Sequence, residues 1–120
     1  MEYKLAIYRL YLDYGRSGVI EGIFLANPNH VKILIDSELT VNFGEVLGRF
    51  SSVTSKITDK MLSFITDNEE AVNMFEHYNL SSGFNPFYYP VIIDYDTIEY
   101  EDLDLYEIVE IIEKKINNNH

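Results

Sequence analysis

Carboxylates dominate the chemistry this sequence can do. Asp94, Asp96, Glu99, Glu101, Asp102 and Asp104 fall within eleven residues, and Glu107, Glu110 and Glu113 follow at every third position. On a helix that step is about 4.5 Å along the axis, at ~1.5 Å rise per residue. The spacing is comparable in scale to the phosphates of DNA. A surface built this way suits docking to a basic macromolecule such as a toxin, a nuclease or another nucleic-acid-binding protein. The chain would then act as an inhibitor, an immunity protein or a nucleic-acid mimic. Tyrosines are rigid contact residues enriched at binding surfaces, and Tyr88 and Tyr89 stand on a loop (residues 79–90) rich in aromatics. The partner-binding set is therefore Asp94, Asp96, Glu99, Glu101, Asp102, Glu107, Glu110, Tyr88 and Tyr89. A solvated helix face accounts for part of the pattern. Acids at the start of the last helix and Lys114 and Lys115 at its end complement the helix dipole, and Glu110 and Lys114 form a favourable i,i+4 pair.

Two other chemistries compete. Asp94, Asp96 and Glu99 are hard oxygen donors that could converge on Mg²⁺ in an enzyme, but the order of an EF-hand loop is missing. Arg16, Arg49, Ser51 and Ser52 could form a small anion pocket from guanidinium and hydroxyl groups. Tyr88 would then stack the base of a nucleotide-like ligand. The stretch Gly44-Glu45-x-x-Gly48-Arg49 lacks the spacing of a phosphate-binding loop, and a tight connection with Glu45 pairing Arg49 explains it as well. The three histidines read as surface residues: His30 in a turn, His77 on a helix, His120 at a fraying end. His77 is near Glu76 and Tyr78 only in sequence, because helix neighbours do not face each other. Nothing in the spacing suggests a Ser-His-Asp arrangement. No catalytic residue, metal ligand or cofactor is assigned.

Charge is distributed unevenly. Residues 61–113 contain thirteen Asp and Glu and no Lys or Arg, whereas the first sixty residues balance seven acids with seven bases. The resulting net charge of −11 makes a directional field that selects partners. It argues against direct binding to nucleic acid or anionic lipid, because phosphate binding draws on Lys and Arg. The chain has no Cys, which excludes disulfides, thiolate zinc sites and cysteine nucleophiles. Its first fifteen residues lack the features of a signal peptide, and no apolar run approaches the ~20 residues of a membrane span. The expectation is a cytoplasmic protein. Apolar residues at 47% are enough for a packed core.

These groups need elements to hold them. Residues 4–14 and 19–26 alternate with period two and read as strands, joined by a Gly15-to-Gly18 turn. Asn27-Pro28-Asn29 reads as another turn, and residues 31–35 and 39–43 as third and fourth strands of a meander. Residues 44–60 look irregular. Residues 61–66 suit a fifth strand and 91–95 a sixth. Asp67 with Glu70 resembles a capping box for a helix over 68–79 that buries Ala71, Val72, Phe75 and Tyr78. Asp104 caps a last helix to 116, with Leu105, Ile108, Val109, Ile112 and Ile116 in one stripe and Glu107, Glu110 and Glu113 opposite. In the loop, Phe84 and Phe87 should enter the core while Tyr88 and Tyr89 stay accessible. The expected fold is α+β: residues 1–116 as one domain, a mostly antiparallel sheet of five or six strands, both helices on one face, and a frayed tail from 117. A free sheet face or edge could also support a homodimer.

Overall fold

A computed structural model describes residues 4–46, 53–92 and 105–118. The architecture is α+β, and every strand pairing among the described residues is antiparallel. The first strand, β1 (Ala6–Asp13), buries Ala6, Tyr8, Leu10 and Leu12, as its alternation requires. It pairs along its whole length with β2 (Val19–Ala26), from Ala6 opposite Ala26 to Asp13 opposite Val19. The connection is a 3-10 turn at Gly15–Ser17, where Gly15 and Gly18 both adopt positive φ. A Cβ disfavours that conformation.

The chain then departs from the expected meander. Residues 28–36 form a helix, α1 (Pro28–Asp36), in place of a strand at 31–35. The Asn27 side chain accepts the Asn29 amide, and Pro28 occupies the first turn. Both are helix-entry signals. The β-branched run that follows suits a strand locally, but His30, Val31 and Leu34 recur at helical spacing and are buried.

With a helix at this point, β3 (Thr40–Gly44) does not extend the first sheet. It pairs with β4 (Val53–Lys56) and β7 (Val91–Ile92) in a second sheet of order β4-β3-β7. The strand β4 lies in the stretch expected to be irregular; Val53 is its buried residue. The first sheet has the order β5-β1-β2-β6, with β5 (Leu62–Thr66) at one edge and the two-residue β6 (Ser82–Gly83) at the other. A single sheet of five or six strands is thus replaced by two smaller sheets sharing a core.

Three helices are present among the described residues, and they do not share a face. From α3 (Leu105–Asn118), Leu105, Ile108 and Val109 join α1 and the inward face of β1 in the main core. The helix α2 (Glu69–His77) packs on the reverse face. There Val72 and Phe75 meet Ile7, with Leu5, Ile23 and Leu25 around them. The odd residues of β1 and β2 are apolar at this end of the hairpin, so both faces can be covered. The cap of α2 is Asn68, accepting from the Ala71 amide, and not Asp67. Tyr78 lies beyond the helix end and is exposed. Its ring sits edge-on to His77 at 4.8 Å, because it has left the helical backbone that would hold the two apart.

Candidate functional site

The loop after α2 is divided by its own backbone. Gly22 of β2 lies opposite Gly83, and a Cβ at Gly22 would collide with the Phe84 backbone. The absent side chain lets the loop cross the sheet edge closely enough for the Phe84 amide to donate to the Glu21 carbonyl at 3.0 Å. From there Asn85 accepts the Phe87 amide and starts a 3-10 turn over Pro86–Tyr88. Phe87 enters the core against Phe24. Phe84 is only half-buried, and Tyr89 turns back onto it and onto Phe43, with ring centroids at 5.8 and 5.2 Å. Tyr89 is therefore not the accessible residue expected of it. Tyr88 points the other way and is 74% exposed.

The face of α3 beside this turn is also set by spacing. A three-residue step advances ~300° at ~100° per residue, so each acid lies ~60° round from the last. Glu107 is exposed, but Glu110 and Glu113 rotate towards the apolar stripe and become half-buried. They do not sweep the solvent side with Glu107. Tyr106 lies on the same flank.

These residues converge with the start of α1. His30 is 6% exposed, which replaces the expected surface histidine. Its Nε2 lies 3.3 Å from Glu113 Oε1; a carboxylate only accepts, so Nε2 is the donor. The Tyr106 ring stands edge-on to His30 at 5.7 Å. Together with Asn27, Asn85, Tyr88, Glu110 and Lys114 they line a cleft of about 460 Å³. A second cavity of about 320 Å³ adjoins it, shares Leu5, Leu25, Asn85 and Tyr88, and reaches Glu76 on α2.

The sequence-derived set is thus partly assembled. Tyr88 and Glu110 meet at the cleft, Glu107 is exposed on α3, and Tyr89 packs inward. Asp94, Asp96, Glu99, Glu101 and Asp102 lie outside the described residues, as do Arg49, Ser51 and Ser52. Arg16 sits on the exposed β1–β2 turn. Among the described residues, no cluster of acids and histidines forms a metal site, and no helix is long and apolar enough to cross a membrane. Sequence reasoning missed Asn27, His30 and Tyr106, and it named Glu113 only as one of the acids of the last helix. One signal was available: the two Asn-Pro steps, Asn27-Pro28 and Asn85-Pro86, both open helical turns and both border the cleft.

No family model matches the chain, and neither a curated protein nor a solved structure does.

Proposed function

We propose that this chain is a non-enzymatic acidic binding protein that docks a basic macromolecular surface, as an inhibitor, immunity protein or nucleic-acid mimic does. The observation that carries the reading is an exposed Tyr88 beside a cleft bearing Glu110 and Glu113. An aromatic anchor next to carboxylates matches what a basic partner surface offers: apolar stems ending in cations. The acids at 94–102 would extend the field and speed association. The test compares two variants with the unaltered chain as bait for basic proteins. One carries Glu110→Gln with Tyr88→Ala; the other replaces Asp94, Asp96, Glu99 and Glu101 by Asn or Gln. The expected result is one specific basic protein held by the unaltered chain, released by salt and lost with either variant. Retention by both variants with the same salt dependence refutes the reading.

A second reading has one observation in its favour. The cleft volume of about 460 Å³ lies in the ~300–1,000 Å³ range of small-molecule sites. A nucleotide-like ligand whose base stacks on Tyr88 in that cleft predicts a thermal shift with nucleotides that Tyr88→Ala abolishes; Arg16 is not part of the cleft, and Arg49, Ser51 and Ser52 lie outside the described residues.

A further inference from the structure

Asn27 is 8% exposed, and its Oδ1 already accepts the Asn29 amide at 2.9 Å. That leaves the Nδ2 group with two hydrogens to donate. It has no acceptor among the described residues, while every side-chain polar atom sealed from solvent there does have a partner. The Asn27 amide nitrogen therefore reaches the cleft that Asn27 lines. Asn85 repeats the arrangement on the other wall, its Oδ1 held by the Phe87 amide at 3.0 Å. The cleft thus presents the side-chain amides of Asn27 and Asn85, two carboxylates, Glu110 and Glu113, and one cation, Lys114, a helical turn on from Glu110. Its occupant must offer acceptors to the amides and a cation to the carboxylates. Two acids outnumber the one lysine, so a phosphate-bearing ligand meets a wall of net negative charge, and a bare cation gives the amides nothing to bind. A peptide with a basic side chain satisfies both. The adjoining cavity shares Leu5 and Leu25 and is lined by Glu76, so the two together form a groove with an apolar wall and acids in each part.

We propose that this groove takes an extended basic segment of the partner protein. Its main-chain carbonyls accept from Asn27 and Asn85, and an arginine or lysine head is held at Glu110 and Glu113. The inference rests on the docking reading above and specifies how the partner is gripped. Tyr88, between the two cavities, covers the stem of the basic side chain.

The probe is a blocked, fluorescent hexa-arginine peptide, with binding followed by anisotropy at low salt and folding checked by circular dichroism. Asn27→Asp discriminates most sharply. It keeps the oxygen that caps α1, removes the amide donor and adds a negative charge. Attraction of charge alone requires tighter binding; an amide that donates to a peptide carbonyl requires weaker binding, by about tenfold. Asn85→Asp repeats the comparison at a second turn, and Glu110→Gln should weaken binding by roughly ten- to a hundredfold. Tighter binding with both Asp variants overturns the proposal, as does argininamide binding as tightly as the hexamer. Unchanged affinity in all three variants overturns the groove alone and leaves docking to the 94–102 carboxylates. No binding of the peptide to the unaltered chain overturns both.

Discussion

Asn27 serves two masters, the helix behind it and the cleft in front. As the cap of α1 it satisfies an amide that would otherwise lack a partner. Replacing it with Ala should cost about 1 kcal/mol of stability, and with Ser much less; urea unfolding of the three proteins reads this directly. Tyr8 gives a second residue-scale test. Burial, and then the charge of Asp67, raise its phenol above the ordinary value of 10.0. The folded state therefore holds the proton more tightly than the unfolded chain. The associated stability is fully present below pH 10 and is lost as pH rises through the higher folded value. The urea midpoint should fall on the alkaline side of pH 10, and Tyr8→Phe should flatten that fall. Burial of Tyr8 was legible from alternation alone, whereas burial of His30 was not. His30 follows Asn27-Pro28, a pair that opens turns and helices alike, and only the contact with α3 decides between them.

At the scale of elements, the hairpin and the last helix were readable because each keeps one period along the residues it turns to the main core. The failures share a cause. The stretch at 31–35 favours a strand by residue type, yet its helix is set by a cap and a packed stripe, and tertiary contact outweighs weak propensity. The strand β4 buries little beyond Val53, so it offers almost no alternation to read. The Gly22–Gly83 crossing places the cleft wall, and it can be tested alone. Gly22→Ala should destabilise by roughly 1–3 kcal/mol, the scale of overpacking, and should also loosen the turn that carries Asn85 and Tyr88. Gly15 has positive φ, unlike Gly22, and open space lies around it. Gly15→Ala should therefore cost only about 1–2 kcal/mol of backbone strain and leave peptide binding intact. Denaturation paired with the anisotropy assay separates the two.

For the whole molecule, charge was the most legible property and the cleft the least. The cleft draws on residues around 27–30, 85–88 and 106–114, and only the topology brings these together. The exposed bases of the first half are partly engaged, Lys4 with Asp67, Arg9 with Glu21 and Lys56 with Glu38. Such surface pairs add little stability, but they neutralise positive charge locally and leave the acids near α3 to set the field. Association with a basic partner should therefore slow steeply with salt, as the Debye length shrinks from ~30 Å at 0.01 M to ~8 Å at 0.15 M. Dissociation should change much less. Stopped-flow mixing at several ionic strengths measures both rates.

The placement of α2 on the reverse face has a consequence for motion. The helix rests on a small cluster built around Ile7, Val72 and Phe75, separate from the main core. Lifting it uncovers only a small apolar patch on the reverse face of the first sheet, around Ile7, Ile23 and Leu25, and leaves the main core sealed. Backbone amides of α2 should therefore exchange with solvent long before those of β1, through an opening that does not unfold the chain. Because Phe75 and Glu76 wall the second cavity, that same opening would widen the far end of the groove and give a long segment a way in from the side.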